Sequence, residues 1–199
     1  MSGRIMIWWV KARRAHSVLP IVFTLFVLLL LLLQGDSVVL PSLTGGATHV
    51  VLALFIPVPL VSGLAMCLDS RLYSAEDTAV RAVRHIDGGL VLVVSALAMA
   101  VSAVVGVALG DAVTVAVGRN ALFLTGLMLV GRALFGRAGI LLPTAWLLTV
   151  CLCGFRPGND AYPWTVLPEP LGAPHAALGA VLMFACGVTV QIRYARNSS

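Results

Sequence analysis

The fold these 199 residues predict is an all-α membrane protein with six transmembrane helices and both termini in the cytoplasm. Three observations predict it. The first is composition: 60% of the residues are hydrophobic, 11% are charged and the mean hydropathy is +1.02, more apolar surface than a soluble chain of this length can hide. The second is pattern, because apolar runs long enough to cross lipid alternate with short polar links. The third is the placement of cations. With the N-terminus inside, only Arg119 and Arg156 fall in outer segments and the other 11 of the 13 Lys and Arg fall in inner ones, the bias that orients membrane proteins.

Taken in order, residues 1–17 read as an interfacial N-terminal segment, since Trp8 and Trp9 stand beside Lys11, Arg13 and Arg14. The charged start and the run from Val18 to Leu33 also fit a signal peptide, but Gln34-Gly35-Asp36 offers no small-x-small cleavage site. An uncleaved first span over about 18–34 is therefore expected, opening a single transmembrane domain over 18–192. The second span covers about 47–68, and Pro57 and Pro59 are expected to kink it. The third covers about 88–109, where Ser102, Gly106 and Gly110 make a small-residue stripe that permits close helix packing. Residues 110–119 read as a short link. The fourth and fifth spans, about 120–134 and 140–154, form an antiparallel hairpin across the tight Phe135–Ala138 connection, with Pro143 near the start of the fifth. Both are short against the roughly 20 residues a crossing needs, so the alternative is four spans plus a re-entrant hairpin. Residues 155–173, with four prolines, Tyr162 and Trp164, read as a rigid non-helical outer loop. The sixth span covers about 174–192, and 193–199 is a cytoplasmic tail.

The one long polar stretch inside the chain runs from Asp69 to Asp87. Ser74 ahead of Glu76 and Asp77 is a helix-start signal, and Asp77 with Arg81 is an i,i+4 pair in the favourable order. Leu72, Ala75, Ala79, Val83 and Ile86 share one face. A cytoplasmic amphipathic helix over 74–86 is expected, either as a solvated connection or as a docking surface that a soluble partner grips.

Several chemistries are argued against. There is no G-x-x-x-x-G-K phosphate loop, and Lys11 is the only lysine. Asp36, Asp69, Asp87 and Asp111 sit at span edges, so no span carries the central carboxylate expected of a proton- or sodium-driven carrier. Cys67, Cys151, Cys153 and Cys186 lie in apolar runs without neighbouring His or acid, and read as fillers rather than metal ligands. His16, His49, His85 and His175 fall on four different segments. No catalytic, cofactor-binding or metal residue is expected, hence no enzyme. The cations are spread over short loops and are not a nucleic-acid footprint.

The order of these features resembles ABC-2-type exporter permeases, most closely short actinobacterial permease subunits. The likeness rests on the run from Arg119 to Gly131, the proline early in the next span (Pro143), the Tyr162-Pro163-Trp164 loop, and the charged helix between the second and third spans. The resemblance implies a multi-pass cell-membrane permease subunit of a bacterial exporter. Such a subunit works with a separate cytoplasmic ATPase and pairs with another permease subunit as a homo- or heterodimer. Docking of the ATPase would then fall to Arg71, Glu76, Asp77, Arg81 and Arg84, with Val83 on the apolar face. The alternative is a non-transport membrane scaffold, assembly or immunity protein whose loops bind another membrane protein.

Overall fold

In the computed structural model the described residues are 15–33, 35–44, 46–69, 80–158 and 160–197. They form six α-helices and one β-hairpin: α1 (Ala15–Leu32), β1 (Ser37–Ser42), β2 (Gly46–Val51), α2 (Pro57–Asp69), α3 (Val80–Leu109), α4 (Ala112–Phe135), α5 (Leu142–Cys153) and α6 (Pro174–Asn197). Among the described residues four stretches are long and apolar enough to cross a membrane: Leu52–Asp69, Asp87–Leu109, Ala112–Cys153 and Pro174–Arg193. The apolar part of α1, His16–Leu32, is somewhat shorter.

α4 is the hub. An eighteen-residue window of the Ala112–Cys153 stretch is 83% buried, against 17% for Pro174–Arg193, so other helices wrap α4 while α6 leaves most of its surface bare. Small residues allow the wrapping. A Cβ placed on Gly126 would stand 2.5 Å from the Met183 carbonyl oxygen, and one on Gly187 would stand 2.6 Å from the Gly126 oxygen, so α4 and α6 meet backbone to backbone. On the other side, Ser102 faces Gly118 and Gly106 faces Val115, so these two residues of the expected stripe make an α3–α4 contact, while Gly110 lies past the end of α3 with no neighbour against it. Phe123, Leu124, Met128 and Leu129 of α4 then fill the centre with Leu60 and Leu64 of α2, Val91 and Ala98 of α3 and Leu147 of α5. The leftover faces of α3 and α6, including Leu92, Val93, Val104, Val107, Leu178, Val181 and Leu182, point outward.

The structure corrects the sequence reading in five places. The chain is not wholly α, because Ser37–Ser42 and Gly46–Val51 pair as antiparallel strands with Ser37 opposite Val51 and Ser42 opposite Gly46. Val38, Val39, Val50 and Val51 are β-branched residues that favour a pleated ladder, and the expected second span loses its first residues to β2. Pro57 and Pro59 do not kink a helix; they start one. α2 begins at Pro57, where a missing N–H is no loss. Residues 112–119 are not a link but the first two turns of α4, capped by Asp111. Val80–Ile86 continue into α3 without a break, so they are not a helix set apart from the third span. Finally, the fifth element is an α-helix only from Leu142; Gly136–Leu141 is a 3-10 segment.

At Gly136 the backbone takes φ 59, a conformation that glycine reaches at little steric cost, and the chain doubles back. The return leg packs so closely that neither Gly131 nor Gly139 has room for a side chain. The Ala112–Cys153 stretch is therefore two antiparallel legs, and the second brings Cys153 back to the hairpin. There Leu43 N–H and the Ser42 hydroxyl donate to the Leu152 carbonyl at 2.8 and 2.9 Å, and the Thr44 hydroxyl donates to the Phe155 carbonyl at 2.8 Å. One end of the bundle thus carries the hairpin, the α3–α4 turn and the 155–173 loop. The other carries Asp69, Arg132 and Arg137.

Candidate functional site

At the hairpin end α4 starts at Asp111, whose carboxylate accepts from the Val113 and Thr114 N–H groups at 3.1 and 2.9 Å and from the Thr114 hydroxyl. Partial burial works to raise this carboxyl's pKa, but the three hydrogen bonds together outweigh it and hold the pKa below the ordinary value. The cap fixes Ala112, Val113 and Ala116 as one wall of a cleft.

Two turns further in come Arg119 and Asn120, both buried. Arg119 lies seven residues into the helix, about 10 Å along an axis rising about 1.5 Å per residue. A bare guanidinium there would cost several kcal/mol. It is not bare. Nη2 donates to the Glu169 and Leu167 carbonyls at 2.7 and 3.2 Å, and Nη1 donates to the Pro170 carbonyl at 3.1 Å. Asn120 Oδ1 accepts from Nη2 and Nε at 3.3 and 3.4 Å, while Asn120 Nδ2 donates to the Leu167 carbonyl at 3.1 Å. The Glu169 carboxylate supplies a counter-charge. One Arg-Asn pair thereby holds three carbonyls of a proline-rich loop that no ladder could hold, since proline lacks the donor.

The loop carries strain where it is held. Val166 has φ 59, and the Leu167 N–H reaches the Thr165 carbonyl at 2.6 Å, so the three residues form a γ-turn of the rare strained kind. Such backbone persists only where its surroundings over-determine it; Thr165 and Leu167 on either side are buried, and Leu167 is held by both Arg119 and Asn120. The rest of the loop is tied by aromatic contacts. Tyr162 stacks on Trp164 at 6.4 Å, and Trp164 meets Trp146 of α5 edge-on at 5.9 Å. Trp146 in turn meets Phe123 of α4 at 5.8 Å, and the Arg156 guanidinium lies 4.7 Å over the Tyr162 ring.

Between hairpin, α4 and loop lies a cleft of about 480 Å³. Val51, Leu54, Val113, Phe155 and Leu167 give it apolar walls; His49, Asn120, Asp160 and Glu169 are its polar groups. This size and lining match small-molecule sites in general. Among the described residues no three of His, Cys, Asp and Glu come together to hold a metal ion.

At the opposite end, Asp69 pairs with Arg132 at 3.2 Å and with Arg137 at 3.4 Å, joining the last turn of α2 to the end of α4 and to the turn after it. The polar stretch leaves α2 from this point. Of the residues expected to dock a partner, Arg71, Glu76 and Asp77 lie outside the described residues. Arg81, Val83 and Arg84 lie on the first turns of α3, where only the backbone is described. Arg119 and Asn120, which organise the hairpin end, were missed as site residues by sequence reasoning, which put Arg119 in an outer link. The available signal was an Arg-Asn pair flush against a long apolar run, followed some fifty residues later by a loop with too few donors of its own.

Compared with known proteins, the chain matches no family model, and no curated protein or solved structure is significantly similar to it.

Proposed function

We propose that the chain is a membrane-embedded permease subunit of an ABC-type exporter in the bacterial cell membrane, working with a separate cytoplasmic ATPase subunit. The observation that carries this reading is a helix bundle filled by its own side chains, beside two long apolar faces left bare. A filled bundle offers no polar route through one chain, so export would run between subunits, with the outward faces of α3 and α6 available to a second permease subunit. The two ends suit the assignment. On the cation bias, the Asp69–Arg132–Arg137 end faces the cytoplasm and the hairpin end faces out, with six crossings counting α1 and both legs of the Ala112–Cys153 stretch. The stretch holding Arg71, Glu76, Asp77, Arg81, Val83 and Arg84 then lies on the ATPase side. The chain itself does no chemistry in this reading.

The test is capture from native membranes. An ATPase should co-purify with the tagged chain, and the double reversal Arg81→Glu, Arg84→Glu should abolish its capture while leaving the amount of folded chain unchanged, because like charges set against a complementary surface cost several kcal/mol. Recovery of the chain without any ATPase, or normal capture by the double reversal, would overturn the reading.

A second reading, a non-transport scaffold, assembly or immunity protein, is favoured by one feature: the cleft is built within a single chain and its loop is pinned rather than poised to move. Capture of another membrane protein through the hairpin end, with no ATPase present, would support it.

A further inference from the structure

The cleft at the hairpin end has a chemistry of its own, independent of whether the chain transports anything. Its walls are apolar, and two carboxylates, Asp160 and Glu169, lie at its lining. Asp160 is exposed, whereas the Glu169 side chain is only 13% exposed and its Oε2 lies 3.6 Å from His175 Nε2. Two arginines stand near the cleft and neither lines it; Arg156 is set beside Asp160 in the backbone with its guanidinium over the Tyr162 ring, and the other, facing Glu169, is Arg119. Its donors are already directed at the Leu167, Glu169 and Pro170 carbonyls and at Asn120, so it neutralises charge without offering a fork to an incoming anion. His49 also lines the cleft. Two acids in the lining, with no arginine or lysine in it, set negative charge inside apolar walls, a setting that favours a cation with an apolar body. We propose that this cleft binds a hydrophobic molecule carrying a single ammonium group, its apolar part against Val51, Leu54, Val113 and Leu167 and its ammonium between Asp160 and Glu169.

The test uses the full chain in lipid nanodiscs, titrated by calorimetry against empty nanodiscs with three matched probes: 4-phenylbutylammonium, 4-phenylbutanol and 5-phenylpentanoate. The ammonium should saturate one site and bind about tenfold more tightly than the alcohol, the scale of one hydrogen bond to a charged group. The pentanoate should bind most weakly. Glu169→Gln and Asp160→Asn should each bring the ammonium towards the alcohol's affinity while leaving the alcohol's own affinity unchanged. Asp160 is exposed, so its variant keeps the test valid if Glu169→Gln folds poorly. Ala116→Phe, which fills the cleft, should remove saturable binding of all three. Equal affinity for ammonium and alcohol would mean an apolar cavity only, and tighter binding of the pentanoate would mean that Arg119 sets the selectivity; either result overturns the proposal. So does an ammonium titration that matches empty nanodiscs, or one unchanged in both carboxamide variants.

Discussion

Arg119 shows how much one side chain can determine. Its helix is otherwise apolar on nearly every side, and its guanidinium replaces water as the donor to three loop carbonyls. Arg119→Leu should therefore cost about 2 to 4 kcal/mol, because it orphans buried acceptors as well as removing a cation. Thermal unfolding in detergent measures the loss, and faster proteolysis of residues 155–173 would locate it in the loop. Arg119→Lys should recover little, since a point ammonium cannot span carbonyls arranged for a fork. Asp111 acts on the same helix from outside it. Asp111→Ala should cost about 1 kcal/mol at pH 7 through loss of the cap. The folded pKa of Asp111 is depressed, so its stabilisation is fully present above the ordinary carboxylate value of about 3.9 and is lost as the pH falls through the folded value. The gap between wild type and Asp111→Ala should thus close below about pH 4, read from hydrogen exchange of the Thr114 amide across that range; a gap that widened on acidification would contradict the cap.

Among the elements, those set by local pattern were legible beforehand and those set by partners were not. The small-residue stripe was expected to be a packing face, and Ser102 and Gly106 do pack against Gly118 and Val115, whereas Gly110 lies just past α3 with nothing against it. The aromatic proline loop was expected to be rigid and non-helical, and it is irregular apart from one short 3-10 turn at Pro163–Thr165. The β-hairpin was missed, although the sequence between Val38-Val39 and Val50-Val51 carries a Gly-Gly turn signal, because the same residues also read as the start of an apolar span. Its fixed place comes from elsewhere, from the α5 carbonyl of Leu152 and that of Phe155 just beyond. The α4–α6 contact depends on the absence of side chains. Gly187→Leu should force the two helices apart and cost about 3 kcal/mol or more, at the upper end for overpacking, whereas Ala185→Leu on the exposed side of the same helix should be nearly neutral. Equal stability of the two variants in thermal unfolding would show that the backbones do not meet there.

At the scale of the whole molecule, hairpin end and arginine end should lie on opposite sides of a bilayer. With Cys67, Cys151, Cys153 and Cys186 replaced, single cysteines at Thr44 and Asp160 should react with an impermeant thiol reagent added to intact cells, and one at Arg137 should react only after the membrane is opened. Labelling of Arg137→Cys together with Thr44→Cys from outside would place both ends on one face and exclude the proposed crossing pattern. The same experiment decides how Ala112–Cys153 is counted, because Asp160 and Arg137 are separated by its return leg alone.

By itself the sequence determined that this is a mostly helical chain with apolar stretches fit for lipid, roughly where those stretches run, and which loop would be non-helical for most of its length. These follow from composition, charge placement and proline content, all properties of near neighbours along the chain. Only the tertiary structure decided that α4 is the hub, that Arg119 and Asn120 hold a loop some fifty residues away, and that Asp69 meets Arg132 and Arg137 at the far end. The reason is physical. A buried cation or an orphan carbonyl has no fixed partner in sequence, and its partner is whichever group the packed backbones bring within about 3 Å. The cleft between hairpin, helix and loop exists for the same reason: none of its three walls is complete until the other two are in place.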